Sequence, residues 1–179
     1  MLPSGVVRGR RNPLHLGFAH RLTRARKAAG MSGSALSLAA GMTADAAWSL
    51  EAGGRVPRVD TVERLAKVLQ LSPCFLAFGV EQPCDPSEGL LSAGLADRLL
   101  QVRESKSISR QELGRCSETS DSLVRMTETR ATVPNIAKVE QLAKALDVSP
   151  CWLAFGLGDK ELPQRRGARP AEQSADQSQ

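Results

Sequence analysis

Aromatic residues make up only 3% of this 179-residue sequence, and tyrosine is absent. A hydrophobic core must therefore be built mainly from Leu, Ala, Val and Met, which suits short, closely packed helices. No apolar run approaches the ~20 residues that a membrane-spanning helix needs. Because the hydrophobic content is nevertheless 41%, we predict an all-α globular protein.

Patterns that signal metal binding or catalysis are also missing. The four cysteines form no Cys-x-x-Cys pair, and both histidines lie far from them in the sequence. We expect Cys74 and Cys151 each to fill a small site in the core of its own domain. The chain has no phosphate-binding glycine loop and no Gly-x-Ser-x-Gly turn. The sequence therefore predicts a reduced protein with no metal, no cofactor and no enzymatic activity.

Negative charge is absent from the N-terminal quarter of the chain. The first 44 residues contain no Asp or Glu, and residues 1–79 hold 11 basic and 4 acidic residues, a net charge of +7. Residues 94–158 hold 9 basic and 8 acidic residues, a net charge of +1. The N-terminal half thus carries most of the positive charge, which favours an anionic partner.

The sequence contains an internal repeat. Residues 94–156 align without a gap on residues 17–79 at a constant shift of 77, and the match is strongest where 149–156 falls on 72–79. We call residues 17–79 repeat one and residues 94–156 repeat two. The repeat predicts a basic N-terminal arm at 1–15, a first domain at 16–79, a linker at 80–91, a second domain at 92–158 and a disordered tail at 159–179.

Stop and start signals divide each repeat into five short helices. We expect Leu16 and Leu22 to share the buried face of the first helix. In repeat one the glycine stops and hydroxyl caps are Gly30, Ser32, Gly41, Thr43 and Gly53. In repeat two Ser109 and Glu112 form a capping box, Ser120 is the cap of the third helix, and Glu118 replaces the glycine of the preceding turn.

A short helix, a tight turn and a second short helix within a five-helix unit resemble the Cro and phage-repressor helix-turn-helix family, also called XRE. The matching residues in repeat one are Arg26, Gly30, Ser32, Leu36, Gly41, 50–53, Pro57 and 65–69. Those in repeat two are Arg103, Ser109, Leu113, Ser120, 127–128, Pro134 and 142–146. The resemblance implies two tandem five-helix domains of the lambda-repressor type, joined by a short linker.

The same resemblance implies roles for particular residues. The pairs Arg26–Glu51 and Arg103–Glu128 are expected to be buried structural ion pairs. The third helix and the start of the second are expected to face the major groove. The implied DNA-binding residues are Ser32, Gly33, Thr43, Ala44, Asp45, Ser49, Arg55, Ser109, Arg110, Gln111, Ser120, Asp121, Ser122, Arg125 and Arg130. Arg8, Arg10, Arg11 and Arg24 are expected to anchor on phosphates.

The two repeats differ in the side chains that they offer to bases. Repeat one has Gly33, Ala44 and Asp45 at these sites, which make few base contacts, whereas repeat two has Arg110 and Arg125. For Trp48 three alternatives remain open: its indole contacts DNA, contacts a protein partner, or packs half-buried against its own domain. We therefore expect repeat one to supply charge and repeat two to select the site. In the alternative, repeat one has become a dimerisation or protein-docking module.

These patterns predict a sequence-specific, repressor-like bacterial transcription regulator. Its partner is double-stranded DNA with two unlike half-sites, it needs no cofactor, and it is cytoplasmic and associated with the nucleoid. The alternative function is an adaptor derived from a helix-turn-helix protein, which forms a homodimer or binds another protein through one repeat and reads DNA weakly or not at all.

Overall fold

The computed structural model describes residues 13–84 and 90–161. Within these ranges the protein is helical and has no β-strand, so the all-α prediction is confirmed there. No helix in the described ranges is both long enough and apolar enough to span a membrane. The expected arm residues Arg8, Arg10 and Arg11, part of the expected linker, and the tail from residue 162 lie outside the described residues.

Residues 13–84 and 90–161 contain ten α-helices, five in each half, in the order that the repeat predicts. A 3₁₀ turn, Leu14–Gly17, precedes α1 (Phe18–Ala28), α2 (Gly33–Ala39), α3 (Ala46–Glu51), α4 (Val59–Val68) and α5 (Pro73–Phe78). A second 3₁₀ turn, Leu91–Gly94, precedes α6 (Leu95–Ser105), α7 (Arg110–Cys116), α8 (Asp121–Glu128), α9 (Ile136–Ala145) and α10 (Pro150–Phe155). The buried apolar residues of both halves join in one cluster.

Several helix starts are capped as expected. The Ser32 and Ser109 hydroxyls each accept a hydrogen bond from the amide three residues later, at 3.1 Å. The reciprocal half of the capping box does not form, because Glu112 faces Arg115 at 3.5 Å instead of the Ser109 amide. Leu16 is a further correction. It lies 64% exposed in the 3₁₀ turn, and Phe18 takes the buried place on α1.

Repeat two holds non-glycine residues where repeat one uses glycine. Gly30, Gly41 and Gly53 have φ angles of 66°, 69° and 73°. Their counterparts Ser107, Glu118 and Arg130 adopt φ angles of 53°, 54° and 60°. The left-handed region is unfavourable for residues with a Cβ atom. Repeat two therefore keeps the turn conformation of repeat one, although its residues at these turns are less suited to a positive φ angle than glycine is.

Equivalent residues of the two repeats contact each other across an approximate two-fold axis. Arg58 and Asn135, which are 77 positions apart, form an antiparallel bridge. The Val59 amide donates to the Pro134 carbonyl at 3.1 Å, and the Ile136 amide donates to the Pro57 carbonyl at 3.0 Å. Such reciprocal pairing is the mark of a two-fold interface. Repeats one and two thus pack like the subunits of a dimer within one chain.

Two equivalent glutamates reinforce this interface. Glu63 on α4 accepts hydrogen bonds from the Leu91 amide and from the amide and hydroxyl of Ser92, in the 3₁₀ turn that leads into repeat two. Glu140 on α9 accepts from the Leu14 amide at 2.7 Å and the His15 amide at 3.1 Å. A carboxylate of each half therefore binds the entry turn of the other half, the 3₁₀ turn that precedes its first helix. These contacts fix the position of one half relative to the other.

The buried cysteines meet at the same interface, which corrects the expectation that each fills a site in its own domain. Cys74 on α5 and Cys151 on α10 are both buried, and their thiols lie within hydrogen-bonding reach of each other. The hydrogen bond with Cys151 and the burial raise the pKa of the Cys74 thiol. The Cys74 thiol is therefore protonated and unreactive, and it acts as a packing group at the interface.

Candidate nucleic-acid interface

The second and third helices of repeat two are α7 and α8, the counterparts of α2 and α3 in repeat one. The Ser120 hydroxyl accepts a hydrogen bond from the Leu123 amide at 3.1 Å, so α8 begins at Asp121 as its cap predicts. Gly114 on α7 lies against this start. A Cβ atom at Gly114 would stand 2.8 Å from the Asp121 nitrogen. The close approach of α7 and α8 therefore depends on glycine at this position.

The corresponding element of repeat one has a different geometry. Ser37 stands at the place of Gly114, donates to the Gly33 carbonyl at 2.9 Å and accepts from the Ala47 amide at 2.9 Å. Because its side chain occupies the space that the backbone fills in repeat two, α3 begins only at Ala46, two residues later than α8. The expectation that Thr43 is the cap of α3 is wrong.

A buried ion pair connects the first and third helices of repeat one. Arg26 on α1 donates from Nε and Nη2 to the two carboxylate oxygens of Glu51 at 2.6 and 2.9 Å, and from Nη1 to the Met31 carbonyl at 2.8 Å. The hydrogen bonds to Glu51 raise the pKa of Arg26, although burial acts in the opposite direction. The pair occupies the structural place that the family resemblance implies.

Trp48 covers this ion pair. Its ring centroid lies 5.0 Å from the Arg26 guanidinium carbon, a cation–π contact. The pyrrole edge of the indole lies over Gly33, where a Cβ atom would come within 2.5 Å of Nε1. Gly33 is consequently buried, which is not the exposed position expected for a DNA-binding residue. Trp48 itself remains 53% exposed.

In repeat two an arginine covers the equivalent pair. Arg103 donates from Nε to Glu128 at 2.5 Å, and hydrogen bonding to that carboxylate raises the pKa of Arg103. Arg110 donates from its own Nε to the second oxygen of Glu128 at 2.6 Å. The Glu128 side chain is 2% exposed, whereas that of Arg110 is 45% exposed. The buried carboxylate of Glu128 thus orients the guanidinium of Arg110, which is partly exposed to solvent.

The remaining expected DNA-binding residues are mostly at the surface. Those that are exposed are Ser32, Thr43, Ala44, Asp45, Arg55, Ser109, Gln111, Ser120, Asp121, Ser122, Arg125 and Arg130. Ser49 is half-buried, which corrects the outward position expected for it. Arg24 is exposed on α1. Arg130 holds both oxygens of Asp97, at 2.8 and 2.6 Å.

The exposed charge differs between the repeats. Within residues 18–77, the exposed basic residues are Arg24, Lys27, Arg55, Arg58 and Lys67, and Asp45 is the one exposed acid. Within residues 95–154, six exposed basic residues face six exposed acids. Repeat one therefore presents the more positive surface. No three His, Cys, Asp or Glu side chains in the described part of the chain are arranged to hold a metal ion.

Residues 18–77 match a family model described as a helix-turn-helix domain. The matched region contains α1 to α4 and most of α5, with α2 and α3 as its central pair. No curated protein and no solved structure matches the chain. Residues 18–77 are therefore similar to helix-turn-helix domains, a class of domain that binds DNA.

The implied set of DNA-binding residues omitted Trp48, and the link between Arg110 and Glu128 was not expected. Neither residue type shows this alone, but the two repeats differ at both positions. Gly33 and Trp48 in repeat one are replaced together by Arg110 and Arg125 in repeat two. In the structure the Trp48 indole lies against Gly33, so these two positions are in contact in repeat one.

Proposed function

We propose that this chain is a sequence-specific transcription regulator that binds double-stranded DNA through two helix-turn-helix units, one in each repeat. The observation that carries the proposal is the two-fold pairing of equivalent residues, such as Arg58 with Asn135, beside a recognised helix-turn-helix domain. Helix-turn-helix dimers place two recognition helices in successive major grooves, about 34 Å apart. We infer that α3 and α8 take the places of these two recognition helices in this chain, without a second subunit.

The symmetry has a consequence for the DNA site. A two-fold axis between the repeats directs α3 and α8 at half-sites that run in opposite directions along the duplex. The surfaces of α3 and α8 differ, so the half-sites differ in sequence. We therefore expect an imperfect inverted repeat bound by one chain. Because the interface already exists before binding, no association of subunits is needed to form it.

The repeats divide affinity and selectivity between them. The exposed basic residues of repeat one suit phosphate contacts, which supply affinity without sequence preference. In repeat two, Glu128 holds Arg110 at Nε, and the terminal nitrogens of Arg110 have no protein partner within the described ranges. A guanidinium fixed in this way is suited to the two acceptors of a guanine edge. Repeat two is accordingly the more selective half.

Alanine at Arg110 and Arg125 tests this division. We expect the double variant to lose roughly 10-fold or more in discrimination between the best site and one changed in the repeat-two half-site, because bidentate base contacts contribute about 1–3 kcal/mol. Competition binding at one fixed salt concentration measures the ratio. Lys144→Ala, an exposed change on α9, is the matched control and should leave the ratio unchanged. Equal discrimination in both variants would exclude repeat two as the selective half.

A second function, a protein-binding adaptor, is favoured by one observation. The helix-turn-helix element of repeat one exposes Leu38 at 63% and Trp48 at 53%, and it buries Gly33. Salt dependence separates the two functions, since DNA affinity falls steeply with salt when several phosphates are held. Absence of measurable DNA binding at low salt would favour the adaptor.

As a DNA regulator, the protein would act at the bacterial nucleoid.

A further inference from the structure

We propose that Trp48 is a specificity-determining residue that contacts thymine methyl groups in the half-site facing repeat one. This inference rests on the proposed DNA-binding function and assigns a base preference to repeat one, in which Gly33, Ala44 and Asp45 make few base contacts. It follows from the position of the indole, from the contacts that hold it and from the charge of the domain that carries it.

Trp48 lies where a recognition side chain must lie. It is the third residue of α3, the second helix of the α2–α3 pair in the matched domain, and about half of its surface is exposed. Its counterpart in repeat two is Arg125, which is also exposed. The position therefore faces outward in both repeats, with an apolar ring in one and a charged group in the other.

The indole is held in place before any partner binds. Its ring stacks on the Arg26 guanidinium, which is itself fixed by Glu51 and the Met31 carbonyl. Gly33 provides the space for the pyrrole edge, since any Cβ atom there would collide with it. A preordered aromatic side chain loses little conformational entropy on binding. These contacts are those of a recognition group rather than of a loosely placed surface residue.

The charge of the domain that carries Trp48 favours nucleic acid over protein as the partner. Trp48 belongs to a domain with five exposed basic residues and one exposed acid. An apolar ring on a domain with this excess of positive charge suits a partner that is lined with phosphates and has apolar groups between them. The major groove of DNA has both, because the thymine 5-methyl group is the apolar feature of its base edges.

The orientation of the ring selects thymine among the bases. The edge that carries the indole N–H lies against Gly33, so carbon atoms form much of the surface left to face the groove. Nearby, Ala44 has no polar side-chain group, Ser49 is half-buried, and the Asp45 carboxylate repels phosphate. A methyl contact is the base-specific interaction that this surface supports.

The experiment replaces thymine by deoxyuridine, which lacks only the 5-methyl group, at single positions of a selected DNA site. For the wild-type protein, we expect about 4-fold weaker binding for each thymine that Trp48 contacts, the effect of removing one buried methyl-sized group. Trp48→Ala should bind the thymine and deoxyuridine versions of those positions equally. Trp152→Phe is the matched control and should retain the difference, because Phe75 occupies the equivalent place in repeat one.

Fluorescence provides an independent readout. The chain has two tryptophans, so Trp152→Phe leaves Trp48 as the only indole. Specific DNA should shift or quench its emission, and the deoxyuridine site should reduce that change. If the protein binds DNA but neither measurement depends on the methyl group, the Trp48 inference is wrong and the proposed function stands. If no variant binds DNA, both are wrong.

Discussion

Replacing Glu128 with glutamine is expected to lower the free energy of unfolding by roughly 3–5 kcal/mol. The carboxylate is almost fully buried and accepts hydrogen bonds from Arg103 and Arg110. Glutamine keeps the size of the side chain but removes its charge, so the buried guanidinium of Arg103 loses its counter-ion. Denaturant unfolding of the full chain measures the change.

Glu112→Gln is the control for this substitution. Glu112 is an exposed carboxylate on α7, and its 3.5 Å pair with Arg115 joins two exposed side chains. Surface pairs of this kind contribute about 0–1 kcal/mol, so the control should differ little from the wild type. Equal effects of the two substitutions would contradict the structural role assigned to Glu128.

Replacing Gly114 with alanine is expected to lower the free energy of unfolding by about 1–3 kcal/mol, the usual cost of overpacking. The added Cβ atom would stand 2.8 Å from the backbone nitrogen of Asp121 and 3.0 Å from the carbonyl carbon of Ser120. Backbone atoms at the start of α8 cannot move aside as a side chain can. The start of α8 must shift instead, so we also expect weaker selection of the repeat-two half-site.

Gly54→Ala tests whether this loss is specific to the contact. A Cβ atom at Gly54 would meet the Ser49 carbonyl oxygen at 3.9 Å, an ordinary van der Waals distance. The free energy of unfolding should therefore stay within about 0.5 kcal/mol of the wild-type value. A tolerated alanine at Gly114 would show that α7 and α8 do not pack as closely as the structure indicates.

Much of the helical plan could be predicted from the sequence because it depends on local chemistry. Ser109 and Ser120 accept the amide hydrogen bonds that caps provide, and Gly30 takes the positive φ of a helix stop. Local signals failed where a distant contact decided the outcome. Thr43 has the chemistry of a cap, yet the start of α3 is set by the Ser37 hydroxyl, ten residues from the amide that it binds.

The arrangement of the repeats could not be predicted in the same way. The constant shift of 77 shows that Cys74 and Cys151 are equivalent, but equivalence does not imply contact. Their meeting depends on how α5 and α10 pack. Glu63 and Glu140 likewise appear as ordinary helix residues until the entry turns that they hold are placed beside them.

The candidate site was partly visible in the sequence. Position alone suggested Arg110 and Arg125 as base-contacting residues, and both are exposed. The contribution of Trp48 was hidden because glycine at position 33 indicated an empty surface. The indole fills that space and replaces the missing side chain. Gly33 and Trp48 are fifteen positions apart in the sequence, and the surface that they form follows only from their contact in the structure.

The most direct measurement selects bound sequences from a random duplex pool with the intact chain and determines how many chains occupy each recovered duplex. One chain per duplex on two unlike, inverted half-sites, with centres about 34 Å apart, is the expected result. A strict palindrome that requires two chains, or the recovery of no preferred sequence, would contradict the proposal that one chain presents both recognition helices to DNA.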